Sequence, residues 1–254
     1  MGPLFKFNSL LLSIVLTGIQ PSLANAADSF AIPQDYSATY KVLHNGNKRA
    51  EVTVSLSHQG DTWTLHGFIH DTRGLADVLN VQGTQTSNGK WLDGRFVPDD
   101  YSFSFSLIGY RSAWQADFDW SSGIVTSRGK KRDTKLSLAN GATDPFSLSL
   151  NIRSLLTEDL HQMAVYVLDE DKIDQQVYRA DINQSLDTAL GCMETTRVSR
   201  LRNNSKRTSM FWYANKHDYI PVLIRHSKKK GSDFRLKIIS LNVGGQPVHK
   251  VNPC

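Results

Sequence analysis

Apolar residues recur at every second position in a succession of short stretches along this chain. Such alternation puts one set of side chains on one face of a β-strand. Tyr36, Ala38, Tyr40 and Val42 share a face of a first strand, and Asn45-Gly46 after it is a strong hairpin signal. Val52, Val54 and Leu56 line the return strand, and Trp63, Leu65, Gly67 and Ile69 mark the next. Gly74 to Asn80 reads as a kink or a single helical turn. Thr84 to Ser87 and Trp91 to Phe96 flank a second hairpin pair, Asn88-Gly89. Tyr101, Phe103 and Phe105 alternate with serines, Trp114, Ala116, Phe118 and Trp120 follow, and Ser122-Gly123 makes a turn. Strands resume over 163–169, 176–183, 192–202, 207–213, 219–226 and 234–243. Short strands near ten residues apart, with turn signals between them, predict a meandering antiparallel sheet curled into a barrel or a sandwich.

One segment departs from this pattern. Asp144 at a cap position and Pro145 at the first helical position form a helix start signal. Leu148, Ile152, Leu155 and Leu156 then fall at helical spacing, although Phe146, Leu148, Leu150 and Ile152 also alternate as a strand would. The spacing predicts a helix of three or four turns that lies against the sheet or plugs an open barrel.

Composition adds the compartment. Lys6 precedes an uncharged run from Leu10 to Ile19, Pro21 breaks it, and Ala24-Asn25-Ala26 supplies small residues for a cut after Ala26. This predicts a secretory signal over 1–26 and a β-rich periplasmic domain over 27–254. The run is short of the roughly 20 apolar residues of a bilayer span, and no later segment is apolar enough to serve as a transmembrane anchor. Removing Lys6, the one charge in the signal, takes the net charge from +5 to +4. That mild balance, in an exported protein, argues against nucleic acid as a partner. Lys130-Lys131-Arg132 and Lys228-Lys229-Lys230 read as solvated hairpin tips, with contact to an anionic surface as the sharper alternative. In an oxidising compartment the two cysteines, Cys192 and Cys254, are expected to pair.

Several short patterns then fall in a familiar order. They are Pro33-x-x-Tyr36-x-Ala38-x-Tyr40 with Asn45-Gly46, Phe96-x-Pro98-x-x-Tyr101-x-Phe103, and Phe118-Asp119-Trp120. Asp144-Pro145-Phe146-Ser147-Leu148 runs on to Ile152-Arg153, and Leu190-Gly191, Phe211-Trp212 and Tyr219-Ile220-Pro221-Val222 close the series. This order resembles the bacterial exported family catalogued as domain of unknown function 3108, from about Pro33 to Leu241. The resemblance implies a periplasmic β-protein of open-barrel type and brings no catalytic residues. The expected fold class is therefore mainly β: an antiparallel meander curled into an open barrel or spiral, with one short helix near residues 144–158.

Catalytic signatures are weak. No G-x-S-x-G elbow is present. His66 and His70 have the spacing of helical metal ligands, but on a strand four residues span roughly 13 Å, too far for one ion. No metal site or cofactor is expected. Asp99-Asp100 and Glu158-Asp159 read as solvated acids in loops or at a helix end, although glycosidases do set two acids across a cleft. Met210 to His226 combines three aromatics, two histidines, an aspartate and an arginine, yet resolves into two strands joined by 214–218, with His217 and Asp218 at an exposed tip.

Binding remains. A curled sheet with one apolar face can hold a lipid or acyl chain. The inward set is expected to draw on Tyr40, Trp63, Phe103, Trp114, Phe118 and Trp212, as core or as cavity lining. The expected function is a non-enzymatic periplasmic protein of the cell envelope that binds a lipid, a glycan or a protein partner. The alternative is a hydrolase acting on an envelope polymer.

Overall fold

The computed structural model describes residues 32–129, 133–158, 161–203, 206–229 and 231–254. The expected signal at 1–26, the Lys130-Lys131-Arg132 run, Asp159 and Lys230 lie outside them. The first half supplies β1 (Tyr36–His44), β2 (Asn47–Gln59), β3 (Thr62–His70), α1 (Leu75–Val78), β4 (Gln82–Leu92), β5 (Arg95–Leu107), β6 (Tyr110–Asp119), β7 (Ile124–Arg128) and β8 (Asp133–Ser137). After α2 (Leu148–Thr157) come β9 (Gln162–Asp169), β10 (Lys172–Thr188), β11 (Gly191–Leu201), β12 (Arg207–Ala214), β13 (Ile220–Lys228), β14 (Asp233–Val243) and the two-residue β15 (Gln246–Pro247).

All the described strands belong to one antiparallel sheet. Its order runs β8 to β1 in reverse sequence, then β14 to β9, so β1 and β14 join the two halves. The sheet is not closed: β8 and β9 are its two outer strands. Curling brings these edges together. Leu168 of β9 is buried in one cluster with Trp114, Ala116 and Phe118 of β6 and Val125 of β7. The chain between β8 and α2 lies in the seam, where Thr143 bridges to Val167. There the Thr143 amide donates to the Tyr166 carbonyl, and the Leu168 amide to the Thr143 carbonyl, each at 2.8 Å.

The outer face of β3 to β5 carries His66, Thr86, Ser102 and Ser104, whereas Leu65, Tyr101 and Phe103 turn inward. Apolar inside and polar outside is the reverse of a lipid-facing barrel band. Among the described residues no helix is long and apolar enough to cross a membrane.

α2 is the expected plug. Leu148, Leu150, Ile152, Leu155 and Leu156 are buried together with Asn151 and Arg153, so the helix is enclosed on nearly every side. Its regular hydrogen bonding starts at Leu148, later than the Asp-Pro signal suggested. Asp144 caps the turn that leads into it, accepting from the Phe146 amide at 2.7 Å and the Ser147 amide at 2.9 Å.

Two local expectations are corrected. Asn88-Gly89 is not a hairpin turn but a bulge within β4, and the turn falls at Asp93-Gly94, where both residues have positive φ. Tertiary packing decides this: a Cβ on Gly89 would lie 2.0 Å from the Val97 carbonyl oxygen and 2.7 Å from the Trp63 ring, so glycine marks a close approach. Asp99 and Asp100 are not in a loop but inside β5 beside the same bulge. Asn45-Gly46, by contrast, makes the expected hairpin, with φ of 50° and 83°.

Candidate functional site

Strand alternation inside the curled sheet leaves an apolar space that α2 does not fill. Tyr36 and Tyr40 of β1 and Val52 and Val54 of β2 form one wall, with Phe103 and Phe105 of β5 across from them. Phe211 of β12, Ile224 of β13 and Leu236 of β14 complete the circuit, and Pro145, Phe146 and Leu148 at the start of α2 make the floor. The cavity measures about 320 Å³. That is near the lower bound of small-molecule pockets, and matches one slender apolar group.

Two glycines shape it. A Cβ at Gly67 would come 2.9 Å from the Phe146 ring, so the bare backbone lets the floor seat against β3. A Cβ at Gly83 would meet Ile69 at 2.7 Å and enter the same space. The floor is anchored by buried polar groups. The Asp144 carboxylate accepts from the Ser87 hydroxyl at 2.6 Å and from the Ser147 hydroxyl, and Asn151 donates to the Thr143 hydroxyl at 3.0 Å. Burial pushes the Asp144 carboxyl up from its ordinary range, while its four donors act in the opposite direction.

The tyrosines are structural. Tyr40 donates to the Pro221 carbonyl at 2.7 Å, at the bulge where Pro221 lacks a ladder donor. Burial pushes the Tyr36 phenol up to about 12 and Tyr40 upward as well, so both stay neutral. Behind Tyr36, the buried Arg153 of α2 pairs with Asp218. Asp218 therefore does not stand free at a hairpin tip: the 215–219 turn folds back onto the helix, and the Gln34 amide also donates to its carboxylate at 3.1 Å.

Among the residues expected to line a site, Tyr40 and Phe103 border the cavity. Trp63 is buried edge-on to Phe96, and Trp114 donates its indole N–H to Ser127 at 2.8 Å. Phe118 is buried beside Trp120. Trp212 is half-buried on the face of β12 opposite Phe211, so Phe211 is the lining residue of that pair. The inward set expected from sequence includes Trp212, but alternation separates two faces without fixing which one is concave. Gly67, Gly83 and Phe146 carried no local signal of a cavity, because their role depends on contacts between distant strands and the plug.

His66 and His70 lie on the outer face of β3 with Phe68 between them, bonded to Thr86 at 3.0 Å and Thr53 at 2.9 Å. Asp100 accepts from Asn88 at 2.8 Å on the same outer face. Among the described residues no three His, Cys, Asp or Glu side chains cluster as metal ligands would. Cys192 and Cys254 are disulfide-bonded, with Cα atoms 4.7 Å apart. The tail also pairs with the start of β11, where the Cys192 amide donates to the Asn252 carbonyl at 2.9 Å.

A family model described as a protein of unknown function, DUF3108, matches residues 35–239. Among solved structures the chain is similar to a β-barrel-like protein of domain of unknown function DUF1849 from Brucella abortus. The TM-score is 0.57 at 10% identity, over 84% of this chain and 99% of that one. No curated protein matches the chain.

Proposed function

Because the chain belongs to the DUF3108 family, whose description assigns no activity, we propose a function from the cavity itself: a non-enzymatic protein of the cell envelope, exported to the periplasm, that holds the apolar part of a lipid inside its curled sheet. The observation that carries this reading is the unfilled space of about 320 Å³ between the plug and the wall, bordered almost wholly by aliphatic and aromatic groups. A concave apolar surface with a few polar groups at its border is the kind of lining that takes up an apolar ligand. The lipid class follows from the lining alone.

The alternative, a hydrolase acting on an envelope polymer, has less support. Of the groups that would carry it, Asp100, His66 and His70 are engaged on the outer face, and neither they nor Asp99 border the cavity.

The test is to express the chain with its own leader, recover it from the periplasmic fraction and analyse bound material by mass spectrometry after incubation with an envelope lipid extract. Lipid is expected to co-purify with the wild type and to be depleted in Gly83→Leu, whose side chain enters the cavity. Circular dichroism checks that this variant is folded. Recovery of no lipid from folded wild-type protein would overturn the reading.

A further inference from the structure

The inner face of β11, β12 and β13 changes character along its length. On β12 the inward positions run Tyr213, Phe211, Ser209, Arg207. Cross-strand pairing sets Ile224, His226 and Lys228 of β13 opposite Phe211, Ser209 and Arg207. On β11, Val198 lies opposite Phe211, and Arg200 follows on the same face. Neighbouring strands thus go from apolar to hydroxyl or imidazole to cation in the same direction.

Arg207 and Lys228, joined by Arg202, border a second hollow of about 310 Å³ together with Ser209, His226 and Phe234 among others. His226 borders both this hollow and the apolar cavity, so its ring stands where the two meet. Arg202 donates to the Ser209 hydroxyl at 3.3 Å, and that hydroxyl lies 3.0 Å from His226 Nδ1.

Charge pairing differs between the two faces. On the outer face, Arg197 meets Asp181 at 2.9 Å, and Arg225 meets Asp233 at 3.0 Å, with Arg235 bonded to the same carboxylate. On the inner face, among the described residues, no carboxylate forms an ion pair with Arg200, Arg202, Arg207 or Lys228. Nε of Arg200 and Nε of Arg202 are buried without a hydrogen-bond partner among the described residues. Arg202 is disfavoured as a cation by burial and by Arg200 and Arg207 nearby, and an acceptor anion with charge-assisted hydrogen bonds would offset both effects.

We propose that this cluster is a head-group site: the ligand is an amphiphile whose acidic head, a phosphate or a carboxylate, is held by Arg202, Arg207 and Lys228 while its chain passes His226 into the apolar cavity. Four residues along β12 separate Arg207 from Phe211, roughly 13 Å at the strand rise, which is the distance from head to buried chain. The inference rests on the lipid-binding reading of the cavity and adds the charge of the ligand.

The test is calorimetric titration of the purified protein with three probes below their aggregation limits: dodecyl phosphate, dodecan-1-ol and inorganic phosphate. Wild type is expected to bind dodecyl phosphate about tenfold or more tightly than dodecanol, as one charge-assisted hydrogen bond implies. The double variant R202Q/R207Q is expected to lose that preference while keeping its affinity for dodecanol. The preference should also shrink as salt is raised. Equal binding of the two dodecyl probes by wild type would overturn the head-group site and leave the cavity reading intact. Binding of neither would overturn both. Inorganic phosphate binding as tightly as dodecyl phosphate would show a free-anion site uncoupled from the cavity, and would also overturn the proposal.

Discussion

At the scale of single residues, the ion pair between Arg153 and Asp218 ties the plug to a turn that sequence alone read as solvent-exposed. Arg153 is 2% exposed and Asp218 34%, so the cation depends on this one carboxylate. Asp218→Asn is expected to cost about 3–5 kcal/mol, because it leaves a buried charge unpaired. The double variant R153M/D218N should recover much of that loss, as an apolar side chain does not need the partner; urea denaturation of the three proteins checks both outcomes. Asp233 makes the opposite case, on the surface. Its bonds to Arg235 and Arg225 hold its carboxyl at about 2, below the ordinary carboxylate range. A depressed folded-state value means stability that is present above the unfolded value near 4. It is lost as pH falls through about 2. The melting-temperature gap between wild type and Asp233→Asn should therefore close between pH 4 and pH 2, and a gap constant over that range would contradict it.

At the scale of elements, the plug is fixed by the Asp144 cluster. Asp144→Ala strips the acceptor from the hydroxyls of Ser87 and Ser147 and from the amides of Phe146 and Ser147. The expected cost is about 3 kcal/mol or more, read as a lower denaturant midpoint, with Asp144→Asn milder because its carbonyl can still accept. The helix start signal at Asp144-Pro145 was legible in sequence because capping is local chemistry. Strand periods were legible for the same reason: β9 and β11 to β14 fall within two residues of where alternation sets them, while β10 runs four and five residues past its expected ends. The bulge at Asn88-Gly89 was not, because a glycine pair looks the same whether it turns a chain or makes room for Trp63. Nor could alternation choose between Phe211 and Trp212. It assigns two faces, and only the curl of the whole sheet says which is concave. The inner cations were hidden likewise: Arg207 and Lys228 are near strand ends, where a lysine reads as a solvated tip until cross-strand register puts both beside Ser209 and His226.

At the scale of the whole molecule, the disulfide acts on the end of the chain. It joins residues 62 positions apart, and in the loop-entropy model that stabilises by about 4 kcal/mol. Reduction is expected to lower the melting temperature by about 10 °C and to expose the 248–254 tail to protease. A melt unchanged by reductant would show that the tail's backbone pairing suffices. The seam between β8 and β9 has a mechanical consequence. In a closed barrel, strand number and shear set the radius, and widening it means breaking a full ladder. Here the ring is split. Across the gap stand the Thr143 bridge and the contacts of Ser127 and Thr134 with the Glu170 carbonyl, at 2.5 and 3.3 Å. Like a split collar, the molecule has a single line, closed by these contacts and by the buried Leu168 cluster, whose parting would widen the bore with every ladder from β8 round to β9 still in register.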